Sequence, residues 1–215
     1  IIQTFGGPEL RDVEAGDLDG DGDDDLIAGF YEINVYDISW WENTDGQGTF
    51  SNNETIISDF EYVEDVELID LDSDGDLDII AIYNDGVSSD AGEIAWWANN
   101  GDATFGVKQV INSTFEAPWD VELGDVNNDG YLDVFATGIF YSDIYYWLNN
   151  GDNTFQDEPG IVSDFFSGVR GFSLGDIDGD EDLDLVAAGA SIDTIALWGN
   201  NDGSWTKNDI TTTLK

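Results

Sequence analysis

The chemistry available to this chain sits in one short pattern, written four times. Asp17-Leu18-Asp19-Gly20-Asp21-Gly22-Asp23-Asp24-Asp25 sets carboxylates at alternate positions. Asp70 to Asp78 (DLDSDGDLD), Asp125 to Asp133 (DVNNDGYLD) and Asp176 to Asp184 (DIDGDEDLD) follow the same register, with first aspartates 53, 55 and 51 residues apart. Alternate side chains in a tight loop converge on one point. Positions 1, 3, 5 and 9 then offer side-chain oxygens, and position 7 offers a backbone carbonyl. An all-oxygen, flexible, carboxylate-rich set suits Ca2+, whereas Mg2+ wants a smaller octahedral shell and keeps its waters. Zinc would need nitrogen or sulfur, and the chain has no His and no Cys. The expected ligand set is Asp17, Asp19, Asp21, Asp23 and Asp25; Asp70, Asp72, Asp74, Asp76 and Asp78; Asp125, Asn127, Asp129, Tyr131 and Asp133; and Asp176, Asp178, Asp180, Asp182 and Asp184. About four calcium ions are expected.

Gly22, Gly75 and Gly130 hold position 6, where a residue without Cβ permits the sharp turn between ligands. Two loops depart from the pattern. Asn127 keeps an oxygen but loses a charge, and Glu181 replaces the turn glycine, so a strained or weaker site is expected in the fourth loop. The spacing is like the first half of an EF-hand loop, but an EF-hand sits between helices and ends on a Glu at position 12. Here Leu26-Ile27, Ile79-Ile80, Val134-Phe135 and Leu185-Val186 follow the loops, which places each loop between two strands. The alternative, solvated acidic turns in an acidic protein, does not explain four copies in one register.

Composition narrows the partners. The 215 residues include 48 acidic and 5 basic side chains, a formal charge of -43, with 41% hydrophobic residues and 8 Trp, 8 Tyr and 12 Phe. So aromatic a chain builds a core and is not a disordered acidic tail. Nucleic acid is excluded, since phosphate binding needs Lys and Arg. Anionic membranes are excluded on the same ground, and no apolar run approaches the roughly 20 residues of a membrane span. Such a charge fits a salty or calcium-rich medium, where self-repulsion is screened, and modules outside cells bind calcium at about 10⁻⁴–10⁻³ M. An extracellular or cell-surface location is therefore expected. The chain lacks Met, even at position 1, which reads as a mature chain whose leader was removed or a fragment of a longer one.

The elements that position the loops recur at about 50 residues, a period that calls for a repeat architecture. Each unit reads as four short strands. The first precedes the loop (Val13-Glu14-Ala15-Gly16 and its equivalents) and the second follows it. The third carries an aromatic signature: Ile38 to Asn43, Ile94 to Asn99, Ile144 to Asn149, Ile195 to Asn200. Asn100-Gly101 and Asn150-Gly151 are type I′ hairpin signals. The fourth strand starts at an aromatic, Phe50, Phe105, Phe155 or Trp205. Four antiparallel strands per unit predict β-propeller blades. The expected fold is all-β, a single repeat domain over 1–215 with blades at about 6–57, 58–111, 112–162 and 163–215, closed into a four-bladed ring or left as a partial one. Ile1 to Phe5 duplicates the tail of a fourth strand (compare Ile56 to Phe60), and Trp205 to Leu214 supplies a fourth strand of its own. The duplicate could form a fifth outer strand, close the ring, or pair with the open edge of a neighbouring chain.

The combined Asp loop and Trp-Asn-Gly-Phe motif resembles the FG-GAP/VCBS repeats of integrin α-subunit propellers and many secreted bacterial proteins, and the resemblance covers essentially the whole chain. It implies a β-propeller with calcium in blade-edge loops and a role in adhesion, ligand binding or assembly.

Other features carry weaker signals. Trp41, Trp97, Trp147 and Trp198 occupy one equivalent position and are expected to pack between blades, with a sugar-stacking alternative for Trp40, Trp96 and Tyr146. Asp12/Glu14, Asp65/Glu67 and Asp120/Glu122 precede the loops and are read as supporting groups behind the metal ligands, the alternative being a glycosidase-type carboxylate pair. Phe60, Tyr62, Phe115, Trp119, Phe165 and Phe166 lie in the links between units and are expected to cap blade ends. The insertion from Tyr83 to Glu93 is a candidate binding loop, and Asn53 and Asn112 begin glycosylation sequons. Triad-type nucleophilic catalysis lacks its His and Cys. Three functions follow: a non-catalytic binding or adhesion module for a protein or glycan ligand; a self-assembling subunit of an extracellular filament or coat; and a lectin-like module or hydrolase accessory.

Overall fold

The computed structural model describes residues 9–31, 38–58, 60, 62–84, 92–138, 143–164, 166–191, 194–201 and 203–211. Every regular element among them is a strand. Blade 1 is β1 (Glu9–Gly16), β2 (Asp25–Tyr31), β3 (Ile38–Trp41) and β4 (Glu54–Ile57). Blade 2 is β5 (Val63–Ile69), β6 (Asp78–Asn84), β7 (Gly92–Trp97) and β8 (Gln109–Asn112). Blade 3 is β9 (Pro118–Gly124), β10 (Asp133–Gly138), β11 (Asp143–Trp147) and β12 (Gly160–Asp164). Blade 4 is β13 (Val169–Gly175), β14 (Asp184–Gly189), β15 (Thr194–Gly199) and β16 (Thr206–Thr211). Each blade is an antiparallel sheet whose strands pair in chain order, the four-stranded propeller blade expected from the sequence. The segment expected to end the chain as a fourth strand is β16. Ile1 to Phe5, residues 85–91 of the insertion and Phe165 lie outside the described residues.

A bulge recurs at one register in all four blades. The pairing of third and fourth strands slips after Ile38, Ile94, Ile144 and Ile195. One extra residue there increases the local right-handed twist, which suits a blade that fans outward.

The chain forms two compact units, Ile1–Ser113 and Thr114–Lys215, each holding two consecutive blades. Within the first, β5 lies along β1 and β2; within the second, β13 lies along β9 and β10. Small residues on the earlier blade admit branched ones from the later. A methyl at Gly16 would collide with Leu77, one at Gly29 with Val63, and one at Gly124 with Leu183. The core of the first unit is therefore shared, Leu18, Ile27 and Ile38 meeting Val63, Val66 and Trp97. The second repeats it with Val126, Phe135 and Ile144 against Val169, Phe172 and Trp198.

Link aromatics pack on the strand tryptophans of the blade that follows each link. Phe60 stands edge-on to Trp97 at 5.1 Å, Phe115 to Trp147 at 5.3 Å and Phe166 to Trp198 at 4.8 Å. Such T-shaped pairs contribute about 0.5–1.5 kcal/mol beyond their burial. Lys108 and Lys207 lay their ammonium groups over Phe60 and Phe166. The four strand Trp residues are buried; Trp97 and Trp198 pack in the cores shared between blades, as expected, while Trp41 packs with Ala28 and Phe30 of its own blade. Trp96 is buried as well and cannot stack a sugar, while Trp40 and Tyr146 pack against the two cores.

The hairpins correct the sequence reading. Type I′ requires positive φ at both central residues. Instead Gly101 and Ala103, and likewise Gly151 and Asn153, take positive φ, and the loop closes by Asn100 N donating to Thr104 O and Asn150 N to Thr154 O. The cause is the following Asp, because Asp102 and Asp152 accept from the backbone N of Thr104 and Thr154. The aromatics expected to open the fourth strands, Phe50, Phe105 and Phe155, form isolated bridges to Asn43, Asn99 and Asn149, and the strands proper begin further on.

Candidate metal centres

Each Asp pattern joins the first strand of a blade to its second. Backbone geometry explains the residue types. Position 6 takes φ of +94° at Gly22, +101° at Gly75, +91° at Gly130 and +74° at Glu181, so the fourth loop holds a non-glycine in the left-handed region, as expected. Position 4 is left-handed too, at Gly20, Ser73, Asn128 and Gly179. That second requirement was readable only as small or turn-forming residues at this position.

Positions 1, 3 and 5 shape the loop through their own carboxylates. Asp17 Oδ1 and Oδ2 accept from Gly20 N (2.9 Å) and Gly22 N (3.0 Å). Asp70 and Asp125 accept from Gly75 N and Gly130 N, and Asp176 accepts from Gly179 N and Glu181 N. Asp19, Asp72 and Asn127 accept from the amide two residues on, and so do Asp21, Asp74, Asp129 and Asp180. Each acidic side chain thus folds back on its own loop.

Position 9 is a buried staple. Asp25, Asp78, Asp133 and Asp184 open the second strands and are buried. One oxygen accepts from the position 2 amide: Leu18, Leu71, Val126 or Ile177. The other accepts from the amide of the Asn ending the third-strand motif: Asn43 (2.8 Å), Asn99 (2.9 Å), Asn149 (2.8 Å) or Asn200 (3.0 Å). Burial pushes Asp78 and Asp133 up to about 6 against these amide bonds. Asp19 and Asp72 are also raised, first by burial and then by neighbouring carboxylates.

Carboxylate oxygens converge in three loops. Asp17, Asp19 and Asp21 bring oxygens within 4.8 Å of one another, as do Asp70, Asp72 and Asp78, and Asp176, Asp178 and Asp184. Among these, Asp70 Oδ1 is buried and receives no hydrogen bond. In the third loop Asn127 Nδ2 donates to Asp129 Oδ2 at 2.9 Å, beside Asp125 and Asp133. Like charges this close repel, and a hard divalent cation is what three or four oxygens at this separation fit. The donor set therefore suits Ca2+. Position 7 side chains lie elsewhere. Asp23, Asp76 and Tyr131 pack on the hairpin glycines Gly46, Gly101 and Gly151, and Asp182 accepts from Asn128 Nδ2 of the preceding loop. Only their backbone carbonyls remain to serve an ion.

Two sets of residues have roles the sequence did not disclose. The four motif asparagines are hubs. Asn99 Oδ1 accepts from Gly101 N, and its Nδ2 donates to Leu77 O and to Leu18 O of the preceding blade's loop. Asn200 likewise accepts from Gly203 N and donates to Val126 O of blade 3. The signal was the Asn standing at one place in every repeat. Asp12 and Asp120, expected to stand behind the ligands, also join blades, accepting from Val66 N (3.2 Å) and Phe172 N (3.0 Å).

The sequence profile of the FG-GAP-like repeat matches this chain over residues 17–81, 83–136 and 125–187. No curated protein matches it. A lectin from Agrocybe aegerita, specific for non-reducing terminal N-acetylglucosamine, superposes with a TM-score of 0.63 at 23% identity, covering 92% of this chain and 51% of the lectin chain. The chain thus spans about half the length of that protein, and the likeness supports the fold. A chain of the Photorhabdus luminescens Tc holotoxin pore superposes with a TM-score of 0.48 at 19% identity, over 91% of this chain and 9% of its own.

Proposed function

The chain belongs to the FG-GAP-like repeat family, and from that premise we propose that it is a calcium-stabilised, non-catalytic binding module of a secreted or cell-surface protein. The observation that carries the calcium reading is the convergence of carboxylate oxygens in three loops. The orphaned, buried Asp70 Oδ1 supports it. In this reading Asp17, Asp19, Asp21 and Asp25 hold the first ion, and Asp70, Asp72, Asp74 and Asp78 the second. Asp125, Asn127, Asp129 and Asp133 hold the third, and Asp176, Asp178, Asp180 and Asp184 the fourth. The carbonyls of Asp23, Asp76, Tyr131 and Asp182 complete the sets. Calcium supplies charge neutralisation, which lets buried carboxylates remain ionised at the head of each second strand. The external location follows from that need, since millimolar calcium is found outside cells.

For the ligand, a glycan is favoured by the lectin-like fold relative, whose specificity is for terminal N-acetylglucosamine. Two measurements test the reading. A chelator should lower the melting temperature substantially, since at calcium 100-fold above Kd each bound site contributes about 2.7 kcal/mol. Identical melting curves with calcium and with EGTA would remove the metal. A glycan array read with and without calcium should show calcium-dependent binding, and a blank array would remove the glycan.

A further inference from the structure

The chain holds two Asn-Gly pairs, Asn100-Gly101 between β7 and β8 and Asn150-Gly151 between β11 and β12. Asn-Gly is a reactive sequence, because a residue without Cβ lets the following amide nitrogen approach the side-chain carbonyl. That nitrogen loses its proton and attacks Asn Cγ. The new C–N bond expels Nδ2 as ammonia and closes a succinimide ring, which water opens to aspartate or isoaspartate. No oxidant or co-reactant other than water is consumed. The local sequences, Asn99 to Phe105 and Asn149 to Phe155, differ only at Ala103 and Asn153. In an unfolded chain the two pairs react alike, so a difference between them comes from the fold.

The fold holds the two pairs unequally. Both glycine amides donate, Gly101 N to Asn99 Oδ1 (3.1 Å) and Gly151 N to Asn149 Oδ1 (2.9 Å). Asn99 Nδ2 is anchored on Leu18 O and Leu77 O, whereas Asn149 Nδ2 donates among the described residues to Leu132 O alone, at 3.3 Å. Asn100 Nδ2 donates to Thr104 O and Thr104 Oγ1, and Asn150 Nδ2 to Thr154 Oγ1. The larger difference is charge. The Asp76 carboxylate lies against Gly101, where a Cβ would meet its Oδ2 at 2.6 Å. At Gly151 the Tyr131 ring takes that place, 2.7 Å from such a Cβ. A carboxylate repels the anion that forms when the glycine amide loses its proton, and an aromatic ring in its place removes that repulsion.

We propose that Asn150 is this chain's site of spontaneous deamidation, and that Asp76 and the anchored Asn99 keep Asn100 intact. The Asn150 side chain is exposed, so ammonia can leave and water can enter. Either product places a new negative charge beside the third Asp loop. Isoaspartate also routes the backbone through Cβ, in a hairpin closed by Asn150 N donating to Thr154 O (2.8 Å). The change falls next to Asn149, whose amide holds Asp133, so it loosens the staple of that loop.

Peptide mapping by tandem mass spectrometry tests this, after incubation of the folded chain with calcium at mildly alkaline pH. Asn150 should convert about fivefold or more faster than Asn100, the rate equivalent of about 1 kcal/mol of repulsion at the amide. In the guanidinium-unfolded chain the two rates should coincide. Exchanging the neighbours should exchange the protection. Asp76→Asn should speed conversion at Asn100 about fivefold, and Tyr131→Asp, which gives the third loop the acidic residue found in the other three, should slow it at Asn150 by a similar factor. Neither side chain belongs to the converging carboxylates, so circular dichroism should be unchanged in both variants. Asn100 converting as fast as Asn150 in the folded chain would overturn the proposal. So would an Asn150 that stays intact while the unfolded chain converts, a rate difference that persists in guanidinium, or folded variants with unchanged rates.

Discussion

Replacing Asn99 by Ala tests the hub directly. The side chain is 3% exposed and makes three hydrogen bonds, to Leu77 O (3.1 Å), Leu18 O (2.9 Å) and from Gly101 N (3.1 Å). Its backbone amide still donates to Asp78 after substitution, so the staple survives. At about 1 kcal/mol net per bond, Asn99→Ala should cost roughly 3 kcal/mol. Asn43→Ala is the internal control. Its side chain makes two bonds, to Asp24 O and from Gly48 N, with none reaching another blade. That substitution should cost roughly 2 kcal/mol, leaving about 1 kcal/mol as the contribution of the seam. Urea unfolding at fixed calcium, with unchanged m-values, reads both numbers. Asn99→Ala costing no more than Asn43→Ala, or either costing less than about 0.5 kcal/mol, would refute the assignment of these bonds.

Two further outcomes follow from the loops. In EGTA the folded-state pKa of Asp78 and Asp133 is about 6, above the ordinary 3.8, so the native chain binds more protons than the unfolded one between those values. Metal-free stability should therefore fall as pH rises from about 4 to 6, and with saturating calcium, whose ligands must be ionised, it should rise over the same range. Unfolding midpoints against pH with the same slope in both conditions would contradict this. Glu181→Gly relieves a left-handed non-glycine at φ +74° and should stabilise the chain by about 1 kcal/mol, seen as a higher melting temperature.

What the sequence revealed, and what it hid, divides along the blade boundary. The Asp loops, the strand order and the buried Trp positions follow from local pattern, because a loop that folds onto its own amides and a strand with a fixed bulge need only their own residues. Asn99, Asn200, Asp12 and Asp120 act across a seam, and no periodicity within a repeat encodes which neighbour an oxygen will meet. The hairpins were misread for a related reason. Asn-Gly predicts a two-residue turn until Asp102 and Asp152 two places after the Asn capture the loop. Position 7 was expected to offer only its backbone carbonyl, and the sequence did not show where its side chain goes, against a hairpin glycine in the first three loops.

The reach of Asn99 to Leu18, joined there by Ala103 N, and of Asn200 to Val126, sets the first and third cages out of phase with the written repeat. Their floor comes from one copy of the motif and their roof from the next. Excising a single repeat at its obvious borders would carry off a loop's carboxylates and leave behind the residues that shelter them. The smallest transplantable piece accordingly runs from a loop through the hairpin of the next blade, longer than one repeat.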